Sequence, residues 1–261
     1  MRPMSADARI LLAQISDLHI GVGAGDLGAA RRLESVVAAV CGLDPAPDAV
    51  VATGDLVRDG RPAEYERVRE LLAPLRMPVH VLPGNHDDRD ALRAALLPDL
   101  EPGPGRFVQY TTHVGALRLV VCDTTIPGQD GGGLSSGRMD WIAAELEADR
   151  DTPTVIAMHH PPIATGIRAM DAIGLDPASR AELDDVLWLA PNLRRVVAGH
   201  VHRTILATCG GCPVFTCPSS DVAIALDLAE GAELSMRDEP PAFALHLAAG
   251  GGLTTHVQPL V

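Results

Sequence analysis

Aromatic residues make up only 3% of this 261-residue chain. With hydrophobic residues at 47%, the core must rest on Ala, Val, Leu and Ile. Positive charge is also scarce: 21 Lys and Arg against 34 Asp and Glu leave a formal net charge of −13. That balance argues against a nucleic-acid polymer as the main partner, because such binding leans on Lys and Arg. No apolar run approaches the roughly 18 residues of a membrane span, so no membrane partner is expected. The polar segment from Met1 to Arg9 lacks the apolar stretch of a secretory signal and predicts a cytoplasmic chain. Five cysteines, Cys41, Cys122, Cys209, Cys212 and Cys217, are too few and too unevenly spread for a disulfide framework. No linker, repeat or low-complexity tract divides the chain, so residues 1–261 are expected to form a single domain.

What the chain does hold is one pattern repeated five times. Apolar runs at 10–15, 49–53, 79–82, 155–158 and 196–198 each end in polar residues. Their endings are Asp17-Leu18-His19, Gly54-Asp55, Gly84-Asn85-His86-Asp87, His159-His160-Pro161-Pro162 and Gly199-His200-Val201-His202. Continuous apolar runs suit strands buried on both faces. Open α/β sheets place their sites at the carboxyl ends of such strands. Between the runs lie helical periods: 29–41 with Leu33, Val36, Val37 and Val40, and 62–73 with Pro62 at its first position and Tyr65, Val68, Leu71 and Leu72 on one stripe. This β-α-β-α-β order predicts parallel strands with right-handed crossovers.

Further along, a short helix is expected over 89–97, with a Pro/Gly loop over 98–105 after it. A hairpin over 107–112 and 117–123 should turn at 113–116, and a helix should cover 135–149. The glycine-rich stretch 21–28 and residues 163–177 read as loops, the latter beside the site. Ser179 is a candidate cap for a helix reaching about Leu189. From about 204 the chain turns β-rich, with Gly210-Gly211 as a two-residue hairpin turn and strands over 222–226, 242–247 and 254–259. Cys209 and Cys212 flank that turn and read as structural rather than metal-binding or redox residues. His80 reads as a core histidine, while His113, His246 and His256 read as structural or exposed. Two mixed β-sheets packed as a sandwich flanked by helices would satisfy this α/β order.

Asp17, His19, Asp55, Asn85, His159, His200 and His202 supply seven donor side chains. If one carboxylate bridges, seven donors give eight metal bonds, enough for two divalent ions. Such a pair can clamp both ends of an in-line displacement at phosphorus. Mixed nitrogen and oxygen donors suit Zn, Mn, Fe or Co better than Ca or Mg.

The order of these motifs resembles the calcineurin-like metallophosphoesterase superfamily over about residues 10–202. The run Gly54-Asp55-Leu56-Val57 with Gly60-Arg61-Pro62, the stretch from Met158 to Pro162, and Met170-Asp171 resemble one branch of it. That branch holds cyclic-nucleotide phosphodiesterases and small glycerophosphodiesterases. The resemblance implies a four-layer α/β/β/α fold and hydrolysis of a small phosphodiester by a metal-bound hydroxide. A 3′,5′-cyclic nucleotide such as cAMP is the leading substrate; a glycerophosphodiester or a broader set of phosphodiesters and monoesters is the alternative. A nuclease or a non-catalytic scaffold is less favoured. By the same resemblance Asp17, His19 and His202 hold one ion, Asn85, His159 and His200 the other, and Asp55 bridges. His160 would stand behind the ligands. His86 would serve the phosphoryl group or the leaving oxygen, with Asp87 orienting its ring. A homodimer through the β-rich portion is a further expectation.

Overall fold

The computed structural model describes residues 9–23, 28–101 and 104–260. The polar N-terminus up to residue 8, residues 24–27 of the first glycine-rich loop and residues 102–103 lie outside the described residues.

The first half follows the expected alternation: β1 (Ile10–Ile15), α1 (Ala29–Cys41), β2 (Ala49–Thr53), α2 (Pro62–Leu72), β3 (Val79–Leu82) and α3 (Arg89–Leu96). A hairpin of β4 (Tyr110–Val114) and β5 (Leu117–Val121) leads into α4 (Ser136–Ala148) and β6 (Thr154–Ala157). Residues 163–177 are not a plain loop. They hold a helical turn, α5 (Arg168–Asp171), and Leu175 bridges to Gly132. Helix α6 (Pro177–Trp188) is capped by Asp176, whose carboxylate accepts from Ser179 N–H, so Ser179 is the recipient of the cap. Beyond it come β7 (Leu193–Ala198), β8 (Ile205–Cys209), β9 (Cys212–Thr216), β10 (Ala223–Ile224), β11 (Met236–Arg237), β12 (Ala242–Ala249) and β13 (Gly252–Pro259).

Two sheets result, in the orders β13-β12-β1-β2-β3 and β4-β5-β6-β7-β9-β8, with β10 and β11 forming a small ribbon. Strands β1, β2 and β3 are parallel, as are β5, β6, β7 and β9. The C-terminal β-rich portion is not an appendage: β12 pairs antiparallel with β1 and completes the first sheet.

Alternate residues of each buried strand feed different cores. Leu12, Val51 and Leu82 meet Leu119, Val155 and Val197 between the sheets. Ala13, Ile15, Val50 and Ala52 face α1 and α2 through Leu33, Val36, Tyr65 and Val68. On the far side Val120, Ile156 and Val196 pack against Ile142 and Leu146 of α4 and Leu183 and Leu187 of α6. The layers are therefore helix, sheet, sheet, helix. Placing Val or Leu on both faces of each strand is what made the runs continuous. His80 departs from its expectation, because its ring is half-buried in β3 rather than in the core.

Candidate metal centre

Each polar ending leaves its strand in the same way. Asp17, Asp55, His159 and His200 stand two residues beyond β1, β2, β6 and β7, and Asn85 three beyond β3. The chain turns sharply there. Among the described residues, non-glycine positive φ angles occur at Asp17, His19, Asp55, His200 and His202, and otherwise only at Arg106. Such conformations cost of order 1–3 kcal/mol each and persist only when the surroundings impose them. The glycines of the motifs make room: a Cβ at Gly84 would overlap the Asp55 carboxylate, and one at Gly54 would overlap the His159 ring.

The turned ends converge from both sheets. His19 Nε2 lies 3.1 Å from His202 Nε2 and 3.6 Å from Asp55 Oδ2, while His202 Nε2 is 3.5 Å from Asp17 Oδ1. On the other side, Asn85 Oδ1 is 3.1 Å from both His159 Nε2 and His200 Nδ1, and His159 Nε2 is 3.4 Å from Asp55 Oδ1. Asp55 thus turns one oxygen to each cluster.

The residues fit divalent ions. Donors about 2.1 Å from one ion stand roughly 3.0–3.4 Å from each other, which is close to the spacings seen. The tautomers agree, because carbonyls can only accept. His159 Nδ1 donates to Thr53 O at 2.8 Å and His202 Nδ1 to Val222 O at 2.7 Å, leaving both Nε2 atoms aimed inward. Asp17 Oδ2 is buried with no hydrogen-bond partner. Burial raises the Asp17 carboxyl against the pull of His202 and His159, so a cation is what would favour its ionised form. Burial lowers His19 to about 3 and His200 well below its ordinary value, keeping both neutral as ligands must be. Burial also disfavours charge on His159, but the Asp55 carboxylate outweighs it and lifts this imidazole to about 9.

The neighbouring histidines separate cleanly. His160 donates from Nε2 to Asp130 O at 3.0 Å, and its Nδ1 accepts from the Thr124 hydroxyl at 2.8 Å. It packs edge-on to His159 with neither nitrogen to spare. His86 is exposed, and its backbone N–H donates to Asp55 Oδ1 at 3.0 Å. Asp87 does not orient its ring. That carboxylate instead accepts from Leu56 N–H, Gly84 N–H and Tyr65 O–H, stapling the turn from beneath, and burial beside Asp55 raises it to about 7. The Arg58 carbonyl takes the orienting role, accepting from His86 Nδ1 at 2.8 Å. A cleft of about 430 Å³ opens beside His86, lined in part by Asp59, Asn85, Arg89, Arg106 and Ile126.

Sequence reasoning missed the buried ion pair that ties this turn to the second sheet. Arg89 donates to Asp123 at 2.6 and 3.1 Å, and Arg138 donates to the Asp123 and Thr125 carbonyls. Both guanidinium groups lie over the Phe107 ring. An aspartate closing an apolar strand was visible at Asp123; its partners, distant in sequence, were not. His246 is buried, His113 and His256 are exposed, and Cys209 and Cys212 face each other across the hairpin as free thiols.

Solved structures share the two-sheet α/β sandwich. A dimetal phosphatase from Danio rerio superposes with a TM-score of 0.65 at 16% identity, over 94% of this chain and 98% of that one. At the sequence level, residues 10–204 match the calcineurin-like phosphoesterase family. The glycerophosphodiester phosphodiesterase GpdQ of Enterobacter lignolyticus is 35% identical, over 81% of this chain and 77% of its own. The 3′,5′-cyclic adenosine monophosphate phosphodiesterase CpdA of Pseudomonas aeruginosa is 34% identical, over 85% and 80%. The chain belongs to the calcineurin-like phosphoesterase family. Among the described residues no helix is long and apolar enough to cross a membrane.

Proposed function

We propose that this chain is a metal-dependent phosphodiesterase that hydrolyses small phosphodiesters, with 3′,5′-cyclic nucleotides as its leading substrates. The observation that carries this is Asp55, whose two oxygens face His159 on one side and His19 on the other. Asp17, His19 and His202 would hold one divalent ion, Asn85, His159 and His200 a second, with Asp55 shared; Fe, Mn, Zn and Co all suit the donor set. Bound there, such a pair acidifies a water and offsets the charge that develops on phosphoryl oxygens.

The chain's own groups do the rest. His86 Nδ1–H is held by the Arg58 carbonyl, so in the doubly protonated ring Nε2–H would be free to hydrogen-bond a phosphoryl oxygen or to give its proton to the departing alkoxide. Asn85 orients the phosphoryl group beside it. Relatives named for glycerophosphodiesters and for cyclic nucleotides are of nearly equal identity, which favours glycerophosphodiesters as the second reading. The acidic net charge supports a small substrate over a polymer. A second copy would find apolar cover on Leu226, Leu228, Leu234 and Met236, exposed around the β10–β11 ribbon.

Metal-reconstituted protein should be assayed against cyclic nucleotides, glycerophosphodiesters, bis(p-nitrophenyl) phosphate and a monoester. Turnover of cyclic nucleotides above the others is expected. Faster glycerophosphodiester turnover would select the second reading, and no hydrolysis of any diester would overturn both.

A further inference from the structure

Among the described residues, a line of buried polar groups runs through the largely apolar interior between the sheets. Gln14 on β1 is fully buried and points into that interior, three residues before Asp17. Its Nε2 donates to Thr53 Oγ1 on β2 and, across the sandwich, to Ala198 O on β7, both at 3.0 Å. Its Oε1 faces His246 Nε2 on β12 at 3.0 Å. The proton positions follow without choice. Ala198 O can only accept, so the amide nitrogen must face it and Oε1 must face His246. That histidine therefore carries its proton on Nε2, and its bare Nδ1 accepts from the Thr255 hydroxyl at 2.8 Å. Arg195 of β7 closes the line by donating to Thr255 Oγ1 and to Leu253 O.

Every ligand set draws on both sheets: Asp17, His19, Asp55 and Asn85 leave the first, and His159, His200 and His202 the second. Apolar packing is non-directional and tolerates small slides of one sheet on the other. Hydrogen bonds are directional, and a metal site needs its donors held to within roughly 0.5 Å. Thr53 and Ala198, the residues Gln14 joins, end β2 and β7 two places before Asp55 and His200. Thr53 O also orients His159.

We propose that Gln14, held in place on β1 by His246 of the same sheet, is a positioning residue whose hydrogen bond across the sandwich to Ala198 O fixes the two sheets relative to each other, so that the ligand loops of both meet around the ions. The inference rests on the metal-centre reading above. A plain stability role is the competing account, and the chemistry separates them. Gln14→Leu leaves the His246 N–H buried and unsatisfied, which costs stability by itself. The double variant Gln14→Leu/His246→Phe removes both polar partners, and buried polar pairs replaced by apolar groups of similar volume are often neutral.

Equilibrium dialysis with Mn²⁺ or Co²⁺, alongside denaturant unfolding of the metal-free chain, tests this without any substrate. The double variant should unfold near the wild-type midpoint yet bind the ions about 10–100-fold more weakly, as lost outer partners of metal ligands do. The Co²⁺ absorption bands should change shape with it. Wild-type affinity in the double variant would overturn the proposal. So would an affinity loss in Gln14→Leu that the double variant restores, since that assigns the effect to the stranded imidazole. Failure of the wild-type chain to bind either ion would instead overturn the metal-centre reading on which this rests.

Discussion

The strand interiors and the strand ends of this chain obey opposite rules. Within β1, Leu12 packs between the sheets while Ala13 and Ile15 face the helices, and all three are buried. Two residues past its end, the same strand holds Asp17 and then His19 at φ of 54° and 46°, with a carboxylate oxygen buried and unpaired. The same change occurs past β2 and β7. Natural sequences agree with their local rules except where function is placed, and here the exceptions fall on five of the proposed ligands. The buried packing beneath offsets the cost of the strained ends.

Substitutions at the ends should therefore change ion binding and rate more than folding, and the largest effect belongs to the shared carboxylate. Asp55→Asn keeps the shape but removes the negative charge between the clusters. Two cations held close together repel unless an anion lies between them. Metal analysis should find both ions bound more weakly and diester turnover abolished or nearly so. Two ions per chain with activity intact would dismiss Asp55 as the bridge.

The neighbouring histidines sharpen the contrast to one ion. His159→Ala removes a nitrogen aimed at the centre and should leave about one ion per chain. His160→Ala should keep both ions while slowing turnover roughly 10–100-fold, because its nitrogens hold Thr124 and the Asp130 carbonyl. The reverse pattern would exchange their roles.

At His86 the effect should involve no ion at all. General-acid help is worth roughly 10²–10⁴-fold to a poor leaving group and little to an acidic phenol. His86→Ala should thus cost alkyl esters far more than aryl esters, with metal content unchanged. Equal losses on both would leave His86 with phosphate positioning alone.

The clustering of these side chains was legible because strand ends announce themselves: an apolar run followed by Asp, Asn or His is a local signal. All seven proposed ligands were legible for that reason, as were the helices α1 and α2 from their stripes. What connects the ends was not legible. Asp87 looked like a partner for its neighbour His86, yet a turn can point adjacent side chains in different directions, and it closes on Tyr65 instead. Arg89 and Asp123 are 34 positions apart, and Gln14 and His246 are 232 apart. Such pairings depend on sheet order, which periodicity does not encode. The placement of β12 beside β1 was likewise invisible, because an antiparallel strand arriving late carries no mark of its neighbour.

The smallest effect is on folding stability, at His246 in the interior line of polar groups, and is read against pH. His246 is 1% exposed, and burial, followed by the charge of Arg195, lowers its imidazole to about 3. In the unfolded chain it titrates near its ordinary value of about 6.5. Between about pH 3 and 6.5 the unfolded chain therefore binds a proton there that the folded chain refuses. Stability must fall as pH drops through this window, by up to about 1.4 kcal/mol per pH unit for this one group. Most carboxylates titrate below about pH 4.5, so unfolding free energies from pH 6.5 down to 4.5 sample mainly the histidines. His246→Phe should make that acid limb shallower by one proton, whatever it does to stability at pH 7. An unchanged slope would mean that His246 accepts its proton in the folded chain, which is incompatible with a bare Nδ1 facing the Thr255 hydroxyl beside Arg195.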